Sequence, residues 1–153
     1  MVELKEKLKG RVLILGVGNP LKQDDRAGPH FVRNFKLQNP KSKHNVELLD
    51  AGVAPENYTG EIKKLKPDTL LVVDAIDFGG KPGSIKVFRG EEIGIHSFST
   101  HNISLKTFID FLKMDLPNLS VTVVGIQPKQ AGFGENLSPE VGSAIEELCT
   151  NLA

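Results

Sequence analysis

The stretch Val12-Leu13-Ile14-Leu15-Gly16-Val17 decides the fold, because it contains only apolar residues and one glycine. A strand with this pattern is covered on both faces, as the strands of a parallel sheet between two layers of helices are. Three further runs have the same character, namely Val46–Leu49, Leu70–Val73 and Val121–Val124. Helix-like stretches lie between these runs. The alternation predicts a three-layer α/β/α sandwich.

Four helices and one further strand complete this prediction. Apolar residues at helical spacing indicate helices over Ala27–Phe35, Tyr58–Leu65 and Leu105–Leu112, and a last helix after an N-cap at Ser138-Pro139. The run Ser84–Phe88 alternates between apolar and polar residues, as a half-exposed edge strand does. The preceding loop, Asp77–Gly83, is too short for a crossover helix. We therefore expect Ser84–Phe88 to be the antiparallel member of a mixed five-stranded sheet.

Size and charge limit the functions that the chain can have. Its 153 residues fit one domain over 1–153. Nineteen basic residues balance nineteen acidic ones, which argues against a nucleic-acid or anionic-membrane partner bound by bulk electrostatics. The longest apolar runs are far shorter than the roughly 20 residues of a membrane span. The apolar runs are all used by the predicted core, which favours a monomer.

The N-terminus and the cysteine content indicate the compartment. The first ten residues lack the apolar region of a secretory signal. The single cysteine, Cys149, excludes an intrachain disulfide and any cysteine-based zinc cluster. Both observations favour a reducing, cytoplasmic setting.

The loop after the first strand, Gly16–Asp25 (GVGNPLKQDD), carries the first candidate site. It resembles a dinucleotide fingerprint, but Leu21 replaces the third glycine, and two carboxylates would repel a pyrophosphate. Asp24 and Asp25 are open to two interpretations. Capping of the following helix explains one of them, whereas the second, repelled by its neighbour, requires a cation or a basic partner such as Arg26, unless it too has only a structural role.

A second carboxylate and a histidine are expected at the same edge of the sheet. Asp74 directly follows a buried strand, and ligands of open α/β sheets bind at the carboxyl edge. If strands one and three are neighbours, Asp25 and Asp74 meet there; the alternative for Asp74 is an ordinary turn aspartate, as we expect for Asp77. His101 precedes a helix and is placed to face the same crevice. Such an O,O,N set suits zinc, nickel or iron.

Other candidate groups are less favourable. His30, His44 and His96 have no acidic motif beside them. The sequence has no G-x-S-x-G elbow, and Cys149 is far along the chain from any histidine. Serine and cysteine nucleophiles are therefore not expected.

Five motifs together carry a resemblance to a known family. GVGNPLKQDDRAGP, DAGVAPEN, LLVVDAIDFGGKPG, THN and GIQP occur in the order found in the [NiFe]-hydrogenase maturation proteases. The resemblance extends from about Val12 to Leu148 and is closest to the branch that processes formate-hydrogenlyase or energy-converting hydrogenases. It implies the sheet order 2-1-3-5-4 with strand 4 antiparallel. It also implies an endopeptidase that removes the C-terminal extension of a large-subunit precursor after nickel insertion.

The resemblance also assigns roles to residues. It implies that Asp25, Asp74 and His101 bind nickel, which the precursor supplies, so that no permanently bound metal is expected. Asp50 matches an aspartate proposed for the proteolytic step, although a carboxylate that ends a strand explains it equally well. Arg26 departs from the glycine that the family commonly has. The Gly125–Pro128 motif is expected to line the crevice and contact the precursor, unless it is a plain strand-exit turn.

Two alternative functions stay open at this point. The first is a zinc-type metallohydrolase, similar to an aminopeptidase, with permanently bound zinc. The second is a nickel-sensing binding module that inspects the precursor without cutting it. Stoichiometric zinc in the purified protein would favour the first alternative. Precursor binding without a change in precursor mass would favour the second.

Overall fold

The computed structural model describes residues 2–41, 45–94 and 100–153, and the side chains of residues 3–41, 45–94 and 105–153. His44, His96 and the side chain of His101 lie outside this described part. Five strands form one sheet in the order β2-β1-β3-β5-β4. They are β1 (Val12–Val17), β2 (Val46–Gly52), β3 (Thr69–Ala75), β4 (Ile85–Arg89) and β5 (Ser120–Ile126). Neighbouring strands are parallel except for β4, which is antiparallel to β5. The predicted fold class, strand order and antiparallel strand are confirmed.

Helices cover both faces of the sheet. They are α1 (Val2–Glu6), α2 (Ala27–Gln38), α3 (Thr59–Leu65), α4 (Thr100–Asp115) and α5 (Pro139–Leu152). Helices α1, α2 and α5 pack on one face, and α3 and α4 pack on the other. Within the described residues, every helix is too short or too polar to cross a membrane.

The strands divide the core into two clusters because successive side chains point to opposite faces. In β1, Val12 and Ile14 join the cluster under α2 and α5, whereas Leu13, Leu15 and Val17 join the cluster under α3 and α4. All six β1 residues are buried. The continuous apolar pattern of this strand is thereby explained.

Glycines bring the start of α2 directly against the end of the sheet. A Cβ atom on Gly28 would overlap the carbonyl oxygens of Val17 and Val73, and one on Gly16 would overlap the carbonyl of Gly28. Only glycine permits so close an approach of helix and strand backbones. The 3-10 turn Gln23–Arg26, which precedes α2, is therefore held at the carboxyl ends of β1 and β3.

Helix α1 and the strand ends differ from the sequence prediction. No helix was predicted in the charged first ten residues, but Leu4 is buried and Lys5 Nζ donates to the carbonyl of Ala153 at 2.9 Å. Strands β2 and β3 continue past their apolar runs. Asp50 and Asp74 consequently lie inside the strands, not after them.

Candidate functional site

Asp25 and Asp74 both lie at the carboxyl edge of the sheet. Asp74 is the next-to-last residue of β3, is paired with Gly125 of β5, and is completely buried. Its pKa is raised well above the ordinary value, first by burial and second by the negative charge of Asp25, while a main-chain hydrogen bond at Ala75 lowers it. One carboxylate therefore feels the charge of the other. A shared ligand site of the two aspartates stays a prediction.

The backbone of its own loop holds Asp25. Asp25 Oδ2 accepts a hydrogen bond from the backbone N–H of Asn19 at 3.1 Å. Asn19 Oδ1 in turn accepts one from the backbone N–H of Leu21 at 2.9 Å. Gly18, with φ +152°, lies so close to the carbonyl oxygen of Asp25 that a Cβ atom would overlap it. The side chain of Asp25 stays partly exposed, so a ligand can reach it.

Asp24 has a different role from the one considered for it. It is fully buried, and Oδ2 accepts hydrogen bonds from Lys129 N at 2.9 Å, Gln130 N at 3.0 Å and Ser138 Oγ at 2.9 Å. Oδ1 accepts a fourth from Ser138 N at 2.7 Å. The N-cap residue of α2 is Arg26, so the capping interpretation of Asp24 is wrong. Asp24 joins the β1–α2 loop to the β5–α5 loop.

Ser138 and Arg26 strengthen the same junction. Ser138 is the N-cap residue of α5 with a proline in the first turn, as predicted, but its hydroxyl donates to Asp24 instead of accepting from the helix. The Arg26 guanidinium donates to the main-chain carbonyl of Glu135. The residue that departs from the family pattern therefore contacts the β5–α5 loop, and the expected pairing with a carboxylate of its own loop is not the contact found.

Asp50 lies at the same edge but faces the other layer. It is exposed near the end of β2, where it is paired with Gly16, and its Oδ1 accepts from the backbone N–H of Gly52 at 3.0 Å. Alternation along β2 puts Asp50 on the side of Leu48, which packs under α2. The same alternation along β3 puts Asp74 on the opposite side. Asp50 is thus near the carboxylate pair without belonging to it.

Gln127 of the GIQP motif holds a neighbouring loop. Its buried side chain accepts hydrogen bonds through Oε1 from Phe78 N at 2.9 Å and Gly80 N at 3.1 Å. Its Nε2 donates to Asp77 Oδ1 at 3.1 Å. This bond and one from the Gly79 backbone lower the pKa of Asp77. Asp77 is a turn residue, as predicted, and Gln127 fixes the turn.

The third predicted ligand is placed only by its backbone. His101 lies in the first turn of α4, in the helical layer that Asp74 faces. Helix α4 leads into β5, so its first turn is directed towards the carboxyl edge of the sheet. Among the side chains that the structure describes, no three His, Cys, Asp or Glu groups form a metal-sized cluster. The ligand set of Asp25, Asp74 and His101 stays a prediction.

Cys149 is unsuited to nucleophilic catalysis. It is buried in α5, in the cluster under the α2 face of the sheet. Burial, with a smaller effect from Glu146, raises the pKa of its thiol to about 11. The reactive thiolate is therefore scarce at neutral pH.

The fold and the site together define an α/β/α protein with two aspartates, one of them buried, at the carboxyl edge of its sheet. Comparison with known proteins identifies the family. Residues 29–153 match the family model HycI, described as hydrogenase maturation protease. The chain is 36% identical to the hydrogenase 3 maturation protease of Escherichia coli over 141 aligned positions, covering 92% of this chain and 87% of the relative. It is 32% identical to a putative hydrogenase maturation protease of Methanocaldococcus jannaschii, covering 97% and 91%.

Solved structures agree with this result. The HycI hydrogenase maturation protease of Thermococcus kodakarensis has a TM-score of 0.86 at 28% identity, with 98% of both chains covered. The endopeptidase HycI of Escherichia coli has a TM-score of 0.80 at 36% identity, covering 92% of this chain and 88% of the other. The chain belongs to the hydrogenase maturation protease family and is a peptide hydrolase.

Proposed function

We propose that this protein removes the C-terminal extension of a [NiFe]-hydrogenase large-subunit precursor after nickel has been inserted. The family membership and the name of the Escherichia coli relative support the hydrogenase precursor as the substrate. As a peptide hydrolase, the protein cuts its partner, which speaks against the non-cleaving binding module. The proposal includes action as a cytoplasmic monomer.

The carboxylate pair is the observation that carries the nickel requirement. Asp74 is wholly buried, and the negative charge of Asp25 contributes to the rise of its pKa. Two carboxylates in a partly water-excluded site are stabilised by a cation, because a dication offsets both charges. Two oxygens and one imidazole suit a borderline divalent ion such as nickel, with His101 as the third ligand. The precursor brings the nickel as part of the substrate.

The position of Asp50 suggests how recognition and cleavage are divided. Asp50 is exposed and directed to the other face of the sheet, so it is not one of the proposed nickel ligands. Asp50 of β2 is paired with Gly16 of β1, and Gly16 is paired with Val73 of β3, the residue before Asp74. Neighbouring strands are about 4.8 Å apart, which separates Asp50 from this end of β3 by roughly 10 Å. We therefore assign Asp50 to the proteolytic step, at a distance that one peptide segment can bridge.

The proposal is tested by incubating the protein with nickel-loaded and nickel-free precursor and measuring the mass of the products. We expect the extension to be lost only from the nickel-loaded precursor. Asp25→Asn, Asp74→Asn and His101→Ala should each abolish processing. The matched control is Asp110→Asn, which changes an exposed carboxylate of α4 that pairs with Lys106.

Two results would contradict the proposal. Equal cleavage of nickel-free precursor would remove nickel from the recognition step. Stoichiometric, non-exchangeable zinc in the purified protein, together with cleavage that depends on it, would establish the zinc-type metallohydrolase instead.

A further inference from the structure

Two large apolar side chains are exposed on the β1–α2 and β5–α5 loops, which the carboxylate of Asp24 joins. Phe133, between two glycines of the β5–α5 loop, is 85% exposed, and Leu21 of the β1–α2 loop is 60% exposed. The two loops pair as a short parallel bridge between Lys22 and Gly134. Gly134 N donates to Leu21 O at 2.9 Å, and Gln23 N donates to Gly134 O at 2.8 Å. Leu21 and Phe133 each precede one of the two paired residues in the chain.

The loop that exposes Phe133 is firmly held. Besides the bridge, Gln23 Oε1 accepts from Gly132 N at 3.1 Å, and Asp24 N donates to Gln130 O at 3.0 Å. The buried carboxylate of Asp24 binds the loop at both ends. Lys22 Nζ lies 5.4 Å from the centre of the Phe133 ring. An aromatic side chain on a preorganised loop loses little conformational entropy on binding. Aromatic residues of this kind are common at the centres of protein interfaces.

Leu21 is also connected to Asp25 through hydrogen bonds. Leu21 N donates to Asn19 Oδ1, and Asn19 N donates to Asp25 Oδ2. Two hydrogen bonds thus separate Leu21 from the carboxylate proposed to bind nickel. Leu21 therefore lies on the same short loop as Asp25, and the bridge between Lys22 and Gly134 places Phe133 beside this loop.

We propose that Leu21 and Phe133 form a docking platform for an apolar segment of the precursor polypeptide next to the scissile bond. This inference rests on the proposed function. The size of the platform favours a peptide segment over a second copy of this chain. Its two side chains offer on the order of 300 Å² of apolar surface, whereas a stable protein–protein interface buries about 800 Å² on each partner.

The test measures cleavage kinetics of nickel-loaded precursor by Phe133→Ser, Leu21→Ser and the conservative variant Phe133→Leu. Loss of a central aromatic contact should raise KM about tenfold or more, with kcat within twofold of the wild-type value. Phe133→Leu should recover most of the affinity. The control is Met114→Ser, which changes a 77% exposed side chain near the end of α4 and should leave both constants unchanged.

A second measurement separates docking from nickel recognition. Binding of nickel-free precursor, which is not cut, should be weakened about tenfold or more by Phe133→Ser and unchanged by Met114→Ser. This outcome supports the platform even if nickel-loaded precursor were not processed, so the two proposals fail separately. Unchanged KM and binding in both serine variants would overturn the platform. A fall in kcat alone, or a dimer in wild type that Phe133→Ser converts to a monomer, would also overturn it.

Discussion

Replacing Asp24 by asparagine should lower the free energy of unfolding by several kcal/mol, whereas the same change at Asp25 should leave the stability of the fold nearly unchanged. The two aspartates are adjacent, but their surroundings differ. Asp24 is fully buried and accepts four hydrogen bonds. Asp25 is partly exposed and accepts a hydrogen bond from Asn19 N. The pair is therefore its own matched control.

The expected cost follows from the donors around Asp24. The four groups that bind it are all donors. Oδ2 accepts from two main-chain N–H groups and the Ser138 hydroxyl, and Oδ1 accepts from the Ser138 N–H. Asparagine keeps one acceptor and turns an NH₂ group towards a donor. A lost bond to a charged acceptor costs about 1.5–3 kcal/mol, and an unsatisfied buried donor costs about 1–3 kcal/mol. The free energy of unfolding should therefore fall by about 3–5 kcal/mol, from a typical total of about 5–15 kcal/mol.

The measurement is thermal and denaturant unfolding of both variants beside the wild type. For a chain of this length, Asp24→Asn should lower Tm by about 10 °C. Asp25→Asn should change Tm by less than about 3 °C, because asparagine still accepts from Asn19 and the repulsion of Asp74 is relieved. A Tm for Asp24→Asn within about 2 °C of the wild-type value is what a single surface change produces. This result would refute the role of Asp24 in joining the β1–α2 loop to the β5–α5 loop.

Three further predictions follow from described contacts. Gln127→Ala removes the acceptor for Phe78 N and Gly80 N, so unfolding should become easier by about 1–3 kcal/mol; denaturant titration measures this, and an unchanged midpoint would contradict it. The pKa of Asp74 is raised in the folded state, while its unfolded value is near about 3.9. The folded protein therefore binds the extra proton, and the contribution of Asp74 to stability falls as pH rises above about 4. Asp74→Asn should gain stability relative to wild type over that window, and a pH-independent difference would exclude this cause. Because the Cys149 thiol has a pKa of about 11, native protein should resist maleimide at neutral pH, and Cys149→Ser should still cleave; rapid labelling or a folded, inactive variant would disprove this.

The strands of the sheet could be predicted because the pattern that specifies each strand lies in consecutive residues. Six consecutive apolar or glycine residues specify β1, and its observed bounds equal the predicted run. The short loop before β4 was sufficient to make that strand antiparallel. Once β1 and β3 are neighbours, a residue after β1 and one at the end of β3 must share an edge. Asp25 and Asp74 could therefore be assigned to the same edge of the sheet from sequence alone.

The roles of Asp24 and Gln127 could not be predicted, because their partners are distant in the chain. Asp24 binds residues more than one hundred positions away, and Gln127 binds a loop about fifty positions away. Nothing local distinguishes Asp24 from Asp25. The ends of β2 and β3 were missed for a related reason. Asp50 and Asp74 interrupt the apolar pattern, but the sheet pairs their backbones regardless of side-chain polarity.

The adjacent aspartates show why one loop can both fold and function. The carboxylate of Asp24 accepts hydrogen bonds from the β5–α5 loop, and these bonds fix the backbone from which Asp25 projects. The same bonds fix the loop that carries Phe133. A site for substrate is most effective when its groups are held before the substrate arrives. If both proposals hold, the docking platform and the nickel ligand therefore share one rigid frame, and a change at Asp24 should weaken precursor binding and processing together, even at a temperature where the variant is still folded.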